Sequence, residues 1–151
     1  MSVEAPAELD QLRKSFKGVM AAVRRLRGRE TQRPGELSYA QYSLLFGLSE
    51  ADTMSSRDLA CAAELSPATV TQMLDSLEAH GLVQRTRSLD DKRVVLTALT
   101  ERGRALVESR RAEYDRRWSA ALAGFSAEEL AAAGRVLDAL TTAVFNVYAE
   151  E

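Results

Sequence analysis

Five times along this chain an apolar residue is followed by Ser or Thr and then by an apolar-periodic run, and that punctuation fixes where helices must begin. The starts are Leu37-Ser38-x-x-Gln41-Tyr42, Met54-Ser55-x-x-Asp58-Leu59, Leu65-Ser66-Pro67, Leu99-Thr100-Glu101 and Phe125-Ser126-x-x-Glu129-Leu130. In each, the hydroxyl can accept from backbone N–H groups that have no partner within the helix. The flanking apolar pair sets the entry angle of the chain. Pro67 occupies a first helical position, where its missing N–H costs nothing.

Ahead of these starts, Leu9, Leu12, Phe16, Val19, Met20, Val23 and Leu26 recur in steps of three and four, which draws one apolar stripe on a helix. Residues 13–33 carry eight basic residues against the single acid Glu30. This basic face reads first as a solvated one. Arg33-Pro34-Gly35 reads as a loop. The run from Ser66 through Val70, Met73, Leu74 and Leu77 ends at Gly81, a residue suited to the left-handed conformation that closes a helix, with His80 as a polar end residue. Beyond Gly81 the pattern changes to Leu82–Arg87 and Val94–Leu99, two β-branched runs around the charged stretch 88–93. They predict one β-hairpin. Helix resumes after Thr100 and again after Ser126, with a stripe of Leu130, Ala133, Leu137, Leu140, Val144 and Val147.

Composition narrows the chemistry. At 151 residues the chain can bury a core without disulfides or a structural metal. One Cys and one His exclude a disulfide framework and a Cys/His zinc site, so no metal or other cofactor is expected. There is no Gly-rich phosphate loop, no metalloprotease His pair and no nucleophile elbow, and the expectation is that the chain is not an enzyme. No apolar run reaches the ~20 residues of a membrane span, and the sequence MSVEAPAELD does not resemble a signal peptide. A cytoplasmic location without membrane attachment is expected. The net charge of −2 argues weakly against nucleic acid when taken over the whole chain. It averages over a stretch, Arg85–Arg93, that holds four basic residues and two acids.

Two helices, Met54–Glu64 and Ser66–His80, separated by a very short connection and followed by a hairpin, form a helix-turn-helix with a wing. Residues 37–107 resemble the MarR family of winged helix-turn-helix regulators. The likeness is carried by Leu37–Leu45, Arg57-Asp58-Leu59-Ala60, Ser66–Thr71, Leu77–Val83 and, most specifically, Arg85-x5-Asp91-x-Arg93 with Leu99-Thr100-x-x-Gly103. The expected fold is mainly α with a small β-hairpin wing, in a single MarR-like domain over 1–151. Residues 37–99 would form the winged lobe, with dimerisation helices at 8–33 and 100–148. The resemblance implies a homodimer, and the surplus of apolar stripe on the terminal helices supports it independently.

Val70, Met73, Leu74 and Leu77 would face the core, leaving Ser66, Ala68, Thr69, Thr71 and Gln72 as candidate DNA contacts. Hydroxyls at a helix N-terminus suit phosphate, and glutamine suits adenine. In the wing, Arg85, Arg87, Lys92 and Arg93 are the candidate contacts, and Asp91 would pair with an arginine across the turn and support the loop. Arg side chains there suit the negative potential of a minor groove. The resemblance also implies a small aromatic or lipophilic effector, with Phe16, Tyr42, Phe46, Tyr114 and Trp118 as candidate pocket residues. Cys61, among alanines, reads as inert packing, although some family members sense peroxides through a cysteine placed elsewhere. The resulting expectation is a ligand-responsive repressor that binds palindromic double-stranded DNA. The alternative is a winged-helix protein–protein module without DNA binding.

Overall fold

Ser38, Ser55, Ser66 and Ser126 all take extended backbone and accept, through their hydroxyls, the N–H three residues on. These caps open four of the helices in the computed structural model, which describes residues 6–28 and 36–145. At Ser38 and Ser126 the box is complete, with Gln41 and Glu129 reaching back to the cap's own N–H. The elements are α1 (Ala7–Gly28), α2 (Tyr39–Ser49), β1 (Met54–Ser55), α3 (Ser56–Ala63), α4 (Pro67–Ala79), β2 (Val83–Arg87), β3 (Val95–Leu99), α5 (Glu101–Leu122) and α6 (Ala127–Leu140), with a π-helical turn over Thr141–Phe145. The tail before Pro6, the loop at Arg33-Pro34-Gly35 and Val147 lie outside the described residues.

The sheet differs from the expected hairpin. It has three antiparallel strands in the order β1-β3-β2. Met54 and Ser55 pair with Thr97 and Leu96, so Met54, read within the Met54–Glu64 helix, is in a strand, while Ser55 caps α3 as expected. Ser55 therefore closes a strand and caps a helix at once. Two residues are too few to show an alternating pattern, which is why periodicity could not reveal β1.

Two compact units divide the chain within α5, between Glu108 and Ser109. In the first, Leu44, Leu45 and Leu48 of α2 pack with Leu59 of α3, Val70, Leu74 and Leu77 of α4, and Val83 and Leu99 of the sheet. Met73, expected in this core, is half-buried against it. On α1, by contrast, Leu9, Leu12, Val19, Met20 and Leu26 are exposed. The second unit holds the rest of α5 and α6, where Tyr114, Trp118, Phe125, Leu130, Leu137 and Val144 are exposed. No described helix is long and apolar enough to cross a membrane.

Candidate nucleic-acid interface

The turn between α3 and α4 is made by a residue that is not glycine. Glu64 takes φ 53° and ψ 40°, and its N–H together with that of Leu65 returns to the carbonyls at the end of α3. This left-handed step reverses the chain within two residues, and Leu65 packs against the core while Ser66 caps α4. The sequence offered no sign of it, because the conformation is ordinarily Gly or Asn.

The first two turns of α4 carry the predicted contact face. Ser66, Ala68, Thr71 and Gln72 are exposed and Thr69 is half-buried, while Val70, Leu74 and Leu77 are fully buried. The hydroxyls are locally engaged: Ser66 Oγ and Thr69 Oγ1 lie 2.7 Å apart, and Thr71 Oγ1 donates to the Pro67 carbonyl. Each keeps lone pairs or an orientation free for solvent. Gln41 Nε2 donates to Ser76 Oγ at 3.2 Å and ties α2 to the far half of α4.

Arg85, expected among the DNA contacts, is drawn back onto α4. Its Nε and Nη2 donate to Glu78 Oε2 at 3.0 and 2.5 Å, Nη2 also lies 2.7 Å from Asp75 Oδ1, and its backbone N–H donates to Glu78 Oε1. These bonds hold the Glu78 carboxyl below the usual carboxylate range. They fasten the root of the hairpin to α4. Asp75 and Glu78 stand three apart on one helix face, and that spacing is the sequence signal that could have revealed the pairing.

Further out, Asp91 pairs with an arginine as expected, but within the turn and not across it: its partner is Arg93, two residues on. The carboxylate accepts from the Arg93 backbone N–H at 3.0 Å and from Nε at 3.2 Å, which keeps Asp91 below its ordinary range. Ser88 N–H donates to the Val94 carbonyl and Val94 N–H to that of Asp91, so the tip is ordered by its own backbone. Arg93 remains 91% exposed, and Lys92 and Arg87 are also exposed, Arg87 with a long contact to the Lys92 carbonyl. The exposed face of α4 and these three cations belong to the same compact unit.

The hairpin's other end is fixed by a crowded junction. Gly81 has φ 69°, its carbonyl accepts from Thr100 Oγ1, and Leu82's carbonyl accepts from Thr100 N–H. Gly103 lies so close that an added Cβ would sit 2.0 Å from the Leu82 carbonyl oxygen. The Leu99-Thr100-x-x-Gly103 segment therefore has a steric reason: only glycine admits the backbone of α5 here. His80 ends α4, its Nδ1 2.7 Å from the Ser76 carbonyl. Cys61, expected in packing, is exposed on α3.

Of the aromatic candidates, Phe16, Tyr42 and Phe46 are half-buried in the first unit, Tyr42 and Phe46 against the core. Tyr114 and Trp118 belong to the second unit, their ring centroids 5.8 Å apart and tilted by 49°. Among the described residues no cluster of His, Cys, Asp and Glu could hold a metal ion.

A short helix, a tight turn, a second helix and a three-stranded wing define a winged helix-turn-helix protein. Residues 37–95 match the model of the MarR family. An uncharacterized HTH-type transcriptional regulator, YdgJ of Bacillus subtilis, is 39% identical over 93 residues, covering 62% of this chain and 57% of its own length. The chain spans somewhat over half the length of this relative and of YhbI, another uncharacterized HTH-type transcriptional regulator of Bacillus subtilis. The crystal structure of a MarR family transcription regulator superposes with a TM-score of 0.80 at 28% identity, covering 95% of this chain and 96% of the other. FabT of Streptococcus pneumoniae, solved in complex with DNA, shares the fold with a TM-score of 0.72 at 22% identity, over 93% and 97% of the two chains. Over residues 37–95 the chain thus carries a MarR-family match, and its fold is similar to that of solved MarR-family winged helix-turn-helix proteins.

Proposed function

We propose that this chain is a transcriptional repressor that binds duplex DNA as a homodimer and is released by a small effector. The observation that carries the reading is the exposed N-terminal face of α4 standing in one unit with a wing whose outer cations, Arg87, Lys92 and Arg93, face solvent. Ser66, Ala68, Thr69, Thr71 and Gln72 enter the major groove, with Gln72 suited to adenine and the Ala68 and Thr methyl groups to thymine. Arg93, held in one geometry by Asp91, approaches the minor groove with Arg87 and Lys92 on flanking phosphates. Arg85 positions the wing rather than touching DNA, because its guanidinium is already shared by Glu78 and Asp75.

Dimerisation is supported by the exposed apolar faces of α1, α5 and α6, which one copy leaves in water. A two-fold dimer calls for an inverted-repeat site with half-sites about one helical turn apart. The effector reading rests on the aromatic set, of which Trp118 is the chain's single tryptophan and so a built-in reporter. Selection of duplexes from a randomised pool, followed by footprinting, tests the DNA reading. An inverted repeat with two protected major grooves is the expected result, and failure to enrich any duplex refutes it in favour of a protein-binding module. Titration of small hydroxybenzoates against Trp118 fluorescence tests the effector, which should quench the tryptophan and lower duplex affinity together.

A further inference from the structure

The tip of the wing offers water an apolar side chain that the fold does not use. Leu89 is 98% exposed, the most exposed of the large hydrophobic residues described. The backbone that carries it is nonetheless ordered: Ser88 Oγ accepts from the N–H groups of both Asp90 and Asp91, and Ser88 N–H closes the turn on the Val94 carbonyl. A single exposed leucine is ordinary on a flat surface. Here it lies at the end of a hairpin between Ser88 and Asp90, where a turn residue would otherwise be polar.

The charge around it sharpens the point. Arg87, Lys92 and Arg93 stand against Asp90 and Asp91, which leaves one positive charge at the tip once Arg85 is committed to Glu78 and Asp75. Attraction to phosphates alone is then a weak anchor. A contact that does not depend on charge fits this tip better, and the minor groove provides one in the apolar walls formed by its deoxyribose rings. Apolar side chains such as leucine are used in that groove, in some proteins as wedges between base steps.

We infer that Leu89 is a DNA-contact residue, seated by the wing against the sugar walls of the minor groove at the outer flank of each half-site. The inference rests on the DNA-binding reading above. Leu89 supplies a salt-independent share of affinity, while Arg93 of the same hairpin tip supplies a salt-dependent share. Preference at that flank then follows the groove's width and the ease of opening it, not hydrogen bonds to base edges.

The test uses the full chain and the tightest duplex recovered from a randomised pool. Dissociation constants are measured over a salt series for the wild type and for Leu89→Ala, Leu89→Met and Arg93→Ala, with hydroxyl-radical footprints of each complex. Leu89→Ala should bind about tenfold more weakly, as expected for loss of a partly buried leucine side chain. Its slope of log K against log salt should be unchanged, and protection should disappear at the outer minor groove only. Leu89→Met should stay close to wild type, and Arg93→Ala should flatten the slope. Because Leu89 is exposed, thermal melting of the variants should match the wild type. If Leu89→Ala binds within twofold of wild type, or keeps the full footprint, the contact does not exist. If the wild type enriches no duplex, the DNA-binding reading falls and takes this inference with it.

Discussion

Adding one methyl group at Gly103 should cost more stability than removing most surface charges in this protein. The Cβ of an alanine there would stand 2.0 Å from the Leu82 carbonyl oxygen, 3.0 Å from its carbonyl carbon and 3.3 Å from Leu99 Cδ2. Two of those neighbours are backbone, so no flexible side chain can swing aside. Relief requires the start of α5 to move off the end of the hairpin by roughly an ångström, since well-packed interiors hold few voids to absorb the methyl group. That movement stretches the Thr100 N–H bond to Leu82 (3.1 Å) and the Thr100 hydroxyl bond to Gly81 (2.7 Å). Each is worth about 1 kcal/mol. It also loosens Leu82, Leu99 and Val107, all of which are buried. Together with the overpacking itself, the loss comes to about 3 kcal/mol or more, a fall in Tm of roughly 6–12 °C for a chain of this size. Thermal melting by circular dichroism at matched protein concentration measures it. Gly18→Ala is the control: nothing lies within 4 Å of its Cβ position, and it sits in a helix that alanine favours by about 1 kcal/mol. The reasoning is refuted if Gly103→Ala melts within a degree or two of wild type, or if Gly18→Ala loses as much.

Thr97 Oγ1 is fully buried with no hydrogen-bond partner among the described residues, so Thr97→Val should raise stability by about 1 kcal/mol in urea titration, and a loss would mean the hydroxyl has a partner. At Glu64 the left-handed backbone ranks substitutions: Glu64→Gly should gain up to ~1 kcal/mol and β-branched Glu64→Val should lose about as much or more, and the opposite order would exclude strain at this turn. Glu78 titrates below its ordinary value of 4.5 because Arg85 donates to it, so its stabilising share is complete above that value and is lost as pH falls through the lower folded-state value. Wild type should therefore exceed Glu78→Gln in stability near neutral pH and converge with it in acid, and a difference independent of pH would contradict the pairing. Arg85→Ala should weaken duplex binding without flattening its salt dependence, because Arg85 acts through the position of the wing, and a flatter slope would put Arg85 on a phosphate.

What could be read in advance was local. Ser38, Ser55, Ser66 and Ser126 announced their helices because a cap is a contact within four residues. Gly81 and the β-branched runs announced the hairpin for the same reason. What differed from the expectation were contacts between separate elements and the exposure of single side chains. Met54 and Ser55 become a strand only because β3 passes beside them, forty residues later in the chain. Arg85 reads as one more basic wing residue within its own run of charges, and only the i, i+3 spacing of Asp75 and Glu78 on α4 points to the pairing. Cys61 is exposed despite its alanine neighbours, because on an eight-residue helix with one buried edge small residues also fill the outer face. A leucine in a charged turn, such as Leu89, carries no signal in sequence, because its meaning depends on its exposure.

The central claim is that α4 and the wing together grip duplex DNA. The most direct measurement is fluorescence anisotropy of a labelled inverted-repeat duplex, selected on the protein itself, titrated over a salt series with wild type and Arg93→Ala. The account predicts specific binding whose log K falls linearly with log salt, and a slope reduced by about one per subunit in Arg93→Ala with unchanged folding. Affinity that ignores salt, or an Arg93→Ala variant that binds as the wild type does, would contradict it.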